Sequence, residues 1–260
     1  MARADWALND QVTLTGLWIP EFRPTTLLFA VPAGLARDDR RWDAAQFAVK
    51  LDRSGGRIDG SVSYFDGRDP IFDIAIDRSG AARRYNRVRV LGADVATTAG
   101  PYGFRLEAAY TDTAFDPARN PWVRRPDVWV VLGADRTFGS VYVNVQASLR
   151  RVLAAAAAPP AALAVVRRQI DALRFQQDPT QWGLTLNVRK SWDDGRWSAE
   201  VSGVQYLEQQ QGALRLDLKR QIGPKLTLQL RAQQFYGARG SYFAVVRPAS
   251  SIGLEARLAV

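Results

Sequence analysis

Apolar and polar side chains alternate with period two along this chain, in about a dozen segments of roughly ten residues. In 141–149, Val141, Val143, Val145, Ala147 and Leu149 alternate with Tyr142, Asn144, Gln146 and Ser148. In 182–188, Trp182, Leu184, Leu186 and Val188 alternate with Gly183, Thr185 and Asn187. Successive side chains of a strand point to opposite sides, so each segment reads as a strand with one apolar face. The same rule covers Val12/Leu14/Trp18, Phe47/Val49/Leu51, Ile58/Val62/Tyr64, Phe104/Leu106/Ala108/Tyr110, Val128/Val130/Leu132, Trp197/Ala199/Val201, Leu214/Leu216/Leu218, Leu226/Leu228/Leu230 and Ile252/Leu254/Ala256/Leu258. Within 85–95, Val88 and Val90 face one way and Leu91-Gly92-Ala93 breaks the phase, which predicts a bulge.

The links between segments alternate in length. Short turns rich in Gly, Pro, Ser and Asp fall at 53–56, 100–103, 136–139, 193–195 and 223–224. Long links occupy 20–43, 66–84, 113–126, 150–179 and 237–248, and only the one at 209–212 is brief. No stretch reaches the roughly 18 apolar residues of a membrane-spanning helix, and the longest apolar run, 152–166, contains Pro159 and Pro160. A sheet that crosses a bilayer must close on itself, because unpaired backbone groups find no partner in hydrocarbon. The predicted architecture is therefore all-β: one antiparallel transmembrane β-barrel over 1–260, of about twelve strands, with short periplasmic turns and long extracellular loops. An even count puts both chain ends at the short-turn rim. One loop differs: Leu163, Val166, Ile170 and Leu173 stand at helical spacing against Arg167, Arg168, Asp171 and Arg174, after a double proline, which predicts a short amphipathic helix over 161–175. That helix either covers the rim or folds into the mouth.

The stretches PYGFRLEAAYT (101–111), VYVNVQ (141–146) and SSIGLEARLAV (250–260) resemble strands of porin-like outer-membrane proteins of Gram-negative bacteria. The resemblance runs along nearly the whole chain and is architectural. It implies the bacterial outer membrane, with its lipid bilayer, as surroundings and names no substrate; small solutes or ions are the cargo expected from the narrow charged lumen. Val260 departs from the aromatic residue that often ends such barrels, and MARADWALNDQ lacks the regions of a secretory signal, so a mature form with Met1 supplied for initiation is expected.

With the apolar set toward lipid, the predicted lumen receives Lys50, Asp59, Arg87, Arg89, Arg105, Glu107, Arg189, Glu200, Arg215, Asp217, Arg231, Glu255 and Arg257 as pore-lining residues, along with Asp52, Asp127, Asp135, Arg150 and Lys219. Neighbouring strands offer Arg105/Glu107 to Arg87/Arg89, and Glu255/Arg257 to Arg231. These charges either neutralise one another in a hydrated interior or line a selective passage, and a basic surplus gives a weak anion preference. Twelve strands lie between barrels filled by side chains and wide porins, so the passage is expected to be narrow.

Trp18, Tyr64, Tyr110, Trp182, Trp192, Trp197, Phe235 and Tyr236 fall near segment ends, as interfacial girdles require. Loop arginines, namely Arg37, Arg40, Arg41, Arg78, Arg83, Arg84, Arg124, Arg125, Arg151, Arg167, Arg168 and Arg174, either face lipopolysaccharide phosphates or form a solvated surface.

The chain has no cysteine and no histidine, which removes thiol and imidazole chemistry and their metal sites. No P-loop or dinucleotide fingerprint is present, and no nucleic-acid motif accompanies the +9 charge. The chain is accordingly expected not to be an enzyme, with no catalytic residue, cofactor, metal or nucleic-acid partner. Three functions fit the pattern: a porin-like channel with a narrow charged lumen, a non-conducting structural or adhesive outer-membrane barrel, and a soluble β-barrel binding module with the apolar stripes turned inward.

Overall fold

The computed structural model describes residues 1–25, 36–37, 45–77, 80–116, 118, 121–155 and 157–258. Its strands are β1 (Ala2–Ala7), β2 (Val12–Ile19), β3 (Ala36–Arg37), β4 (Gln46–Arg53), β5 (Ile58–Arg68), β6 (Asp73–Asp77), β7 (Gly80–Arg84), β8 (Arg87–Ala99), β9 (Tyr102–Thr113), β10 (Asp127–Phe138) and β11 (Val141–Val152), followed by β12 (Thr180–Trp192), β13 (Trp197–Tyr206), β14 (Gln211–Ile222), β15 (Leu226–Tyr236) and β16 (Ser251–Leu258). Two α-helices, α1 (Ala164–Leu173) and α2 (Tyr242–Val246), lie in long links.

Thirteen strands form one sheet in chain order, β1-β2-β4-β5-β8 and then β9 through β16, antiparallel in every pair whose register is described. The remaining three form a small sheet, β3-β7-β6, in which β3 runs parallel to β7. Among the described residues the main sheet therefore has thirteen strands, an odd number, where the alternation predicts an even count of about twelve, and three more strands lie in the separate small sheet. The additional main-sheet strand is β1, whose ARADWA sequence carries a single large apolar residue, too little for periodicity to register. Because Ala2 pairs with Trp18, β1 begins beside the long-link end of β2 rather than at the short-turn end.

The chain divides into two compact units: residues 1–97, 106–130 and 150–180 make one, and residues 98–105, 131–149 and 181–260 make the other. In the second, β12 to β16 pair without interruption, joined through turns such as 193–195, where Asp193, Asp194 and Gly195 all have positive φ. Aspartate tolerates that region better than most side chains, which explains the adjacent carboxylates as turn residues.

In the first unit, β2, β4, β5 and β8 pair in continuous register. The pairing runs from Ile58↔Thr97 to Arg68↔Arg87, so the bulge expected at Leu91-Gly92-Ala93 is absent. The phase that alternation assigned to Val88 and Val90 was the wrong one: Leu91 is exposed on the apolar side, and Val88 is buried on the other.

The predicted loop helix is present as a 3₁₀ turn (Ala161–Leu163) leading into α1, with Arg174 as its C-cap. Val166 and Ile170 of α1 pack with Phe22, Phe72, Ile74 and Tyr85, forming the buried apolar cluster of this unit. Phe22 and Tyr85 meet ring to ring at 5.2 Å. No helix among the described residues is long and apolar enough to cross a membrane.

Candidate functional site

Strand register sorts the side chains of the second unit into two faces. Directly opposed residues point the same way, so the pairs Arg189↔Glu200, Glu200↔Asp217, Asp217↔Arg231 and Gln229↔Glu255 carry one polar stripe across β12 to β16. Leu184, Leu186, Val201, Leu214, Leu216, Ile252, Leu254 and Leu258 occupy the opposite face, and all are exposed. An apolar face of this extent left uncovered marks contact with another molecule or with lipid.

The polar stripe is laced by short contacts. Asp217 accepts from Gln229 Nε2 at 2.6 Å and Arg231 Nε at 3.1 Å, and lies 3.4 Å from Arg215 Nη2. Glu255 stands 3.7 Å from Arg231 and 2.5 Å from Arg257, the pairing the sequence offered. Asn187 donates to Glu200 at 2.7 Å, and Arg189 lies over the Tyr142 ring at 5.2 Å. Thr185 donates to Gln146, which neighbours Gly133, and Asp135, two residues along β10 from Gly133, lies 3.9 Å from Arg105. Glu107, two residues along β9 from Arg105, is exposed on the same side of that strand.

In the first unit the polar stripe comprises Asp5, Thr15, Lys50, Asp52, Ser61 and Asp94. Thr15 donates to Asp5 at 2.6 Å, Lys50 meets Asp52 at 2.6 Å, and Ser61 donates to Asp94. Asp59 lies at the β4–β5 turn, where it accepts from the Gly55 backbone N–H at 3.0 Å. Arg87 and Arg89 do not join this stripe. Arg89 pairs in register with Asp66, on the side of Tyr64 and Leu91, and both arginines contact Asp66, with Arg89 also 3.6 Å from Asp112. Sequence reasoning placed them on the polar side because it took the phase of β8 from Val88 and Val90. The same false phase puts Asp94 on the apolar side, and Asp5 lies on β1, whose sequence carries no periodic signal.

A second assembly, invisible to periodicity, lies in the long links of the first unit. Arg174 Nη1 meets Asp73 Oδ1 at 2.6 Å, and its Nη2 lies 3.2 Å from Asp69 and donates to the carbonyls of Ile71 (2.7 Å) and Phe72 (3.3 Å). Asp73 also accepts from Asn86 Nδ2 at 2.7 Å and the Arg124 backbone N–H at 2.8 Å. Arg150 grips Asp127 bidentately (3.0 and 2.9 Å) and donates to the Arg174 carbonyl, while Gln176 holds Arg125 O at 2.7 Å. On α1, Arg167 pairs with Asp171 at 2.9 Å and donates to Trp122 O.

Burial works against the charge of Arg174, but Asp73 and Asp69 outweigh it and raise its pKa above the ordinary value. Arg125 is shifted the other way by burial, with only Asp171, at 3.8 Å, opposing it among acidic groups. Guanidinium keeps its charge in either case, so this cluster is a fixed set of ion pairs and not a proton relay.

The expectation of arginine-rich, outward-facing loops is corrected accordingly: Arg124 is largely buried and Arg125, Arg167 and Arg174 are buried, each with a carboxylate within 4 Å. Arg168 is exposed, Arg83 lies over the Phe72 ring, and Arg151 donates to Thr180. Arg40, Arg41 and Arg78 lie outside the described residues, as does the side chain of Arg37. Among the girdle aromatics, Trp192 and Trp197 stack at 5.8 Å, whereas Phe235 faces the polar side and stacks on Phe243 of α2.

No protein-family model and no curated protein sequence matches the chain. Among solved structures, outer membrane phospholipase A from Escherichia coli matches over 83% of this chain and 84% of its own, at 12% identity and a TM-score of 0.35. The matching protein is an enzyme by name, so the expectation of a non-enzyme is set aside. A likeness at this level assigns no activity to the chain.

Proposed function

We propose that the chain spans the outer membrane of a Gram-negative bacterium as a β-barrel and passes small solutes or ions along its polar face. The observation that carries this reading is the register: it puts exposed leucine, isoleucine, valine and tryptophan on one face of β12 to β16 and a laced, mixed-charge stripe on the other. Hydrocarbon is the medium that covers the first without cost, and water the medium that solvates the second. In this reading the short turns face the periplasm and the long links face outward, near lipopolysaccharide.

The selectivity expected from sequence changes. With Arg87 and Arg89 on the apolar side, and Asp5 and Asp94 added to the polar one, the basic surplus behind the anion preference disappears. The passage is read as one of nearly balanced charge. Planar-bilayer recording of detergent-refolded protein tests this: discrete conductance with weak selectivity supports it, and an electrically silent bilayer containing folded protein refutes conduction.

One observation favours the non-conducting alternative. Asp127 and Arg150, on the polar sides of β10 and β11, are tied to the α1 link through Arg174 and Gln176, so the long links fold back onto that side at the strand ends. In that case the cap fills the mouth, and conduction appears only when the cap is loosened.

A further inference from the structure

The polar stripe is nearly balanced except on β14 to β16, where Arg215, Arg231 and Arg257 outnumber Asp217 and Glu255. Arg215 stands opposite Gln233, which stands opposite Ser251, and in the next row Arg231 stands opposite Gly253. The missing side chain at Gly253 leaves a gap in an otherwise filled stripe, and a Cβ built there would meet nothing within 4 Å. A cavity of about 340 Å³ occupies this place, with Arg215, Arg231, Gln233, Ser251 and Gly253 in its wall beside the apolar Ala232 and Ile252. Arg215 reaches Asp217 through one nitrogen at 3.4 Å, a long contact for a guanidinium, and Arg231 spreads over Asp217, Gln229 and, at 3.7 Å, Glu255. Asp217 engages one nitrogen of each guanidinium, so further N–H donors of both face the gap, where an oxyanion would accept them.

We propose that Arg215 and Arg231 form a binding subsite for a small soluble oxyanion, a carboxylate or phosphate group, with the gap over Gly253 as its seat and the Ser251 hydroxyl as a further donor. The proposal rests on the reading of this face as a solute passage. A free anion, rather than a lipid headgroup, is the ligand because Arg215 and Arg231 stand on the face opposite the exposed Leu214 and Leu216 that lipid would cover.

The experiment is calorimetric titration of the refolded full chain in detergent with inorganic phosphate, beside conductance in phosphate and chloride. Saturable binding is expected. R215Q weakens it about tenfold, as loss of a charged hydrogen bond does. G253D abolishes it by placing a built-in carboxylate in open space without crowding the strand. K219Q, four residues along β14 from Arg215, leaves it unchanged. Absence of saturable binding, or equal losses for R215Q and K219Q, overturns the subsite. Competition by phosphatidylglycerol in the detergent overturns the soluble source. Conduction without phosphate binding refutes the subsite and keeps the passage; binding without conduction does the reverse.

Discussion

Replacing Arg174 by methionine should open the cap while leaving the sheet intact. The guanidinium is shared by Asp73 at 2.6 Å and Asp69 at 3.2 Å, and both carboxylates are 1% exposed, so neither recovers its lost partner from water. Breaking a buried ion pair by removing one member costs about 3–5 kcal/mol, because the remaining charge stays desolvated. Asp73 keeps Asn86 and the Arg124 N–H, and Asp69 keeps Arg124 at 3.2 Å, which places the expected cost at the low end, about 3 kcal/mol. Methionine retains most of the stem volume, so little of that cost is cavity. A loss of this size raises the population of the locally opened cap roughly a hundredfold. Hydrogen exchange in detergent reads it directly: amides of α1 and β6 should lose protection while those of β12 to β16 keep theirs. Exchange in α1 changed by less than about fivefold would refute the reasoning, since a merely surface ion pair contributes no more than about 1 kcal/mol. Uniform loss across β12 to β16 would refute it differently, by showing that the cap and the sheet open as one.

Three further outcomes are expected. Leu184→Arg, on the exposed apolar face, should cost about 2–4 kcal/mol in lipid vesicles, and Thr185→Arg, on the polar face beside Gln146, much less; denaturant unfolding ranks them, and equal costs would mean the faces are inverted. Reversing Arg105 and Arg189 to glutamate should move the reversal potential in a salt gradient toward cation selectivity, and an unchanged potential with intact protein would reject charge-selective conduction. Gly212→Ala should destabilise by about 1–3 kcal/mol, because its Cβ would collide with the Val204 carbonyl and stand 2.6 Å from the Tyr236 hydroxyl, and a neutral result in thermal unfolding would show that β14 shifts freely.

Alternation was sufficient to find twelve of the main-sheet strands, because side-chain direction in a strand is set by covalent geometry and is therefore written in the order of residues. It located the turns at 193–195 and 223–224, where positive φ is required, and the helix over 161–175, where the period changes from two to 3.6. It also placed Arg189, Glu200, Arg215, Asp217, Arg231, Glu255 and Arg257 on one face of their strands, where register confirms a shared stripe. Periodicity failed where its own signal was weak. In β8, valine and leucine occupy both phases, so only pairing with β5 decided that Arg87 and Arg89 turn away from Asp94; in β1, a lone Trp6 gave no pattern at all. The ion-paired cap was beyond reach for a different reason. Asp73 and Arg174 are separated by 101 residues, and no local rule distinguishes an arginine bound for a buried carboxylate from one bound for water. Burial and pairing are properties of the folded chain, so the sequence determined which strands form and which way most of their side chains point, and the tertiary structure alone decided which loop charges left the solvent.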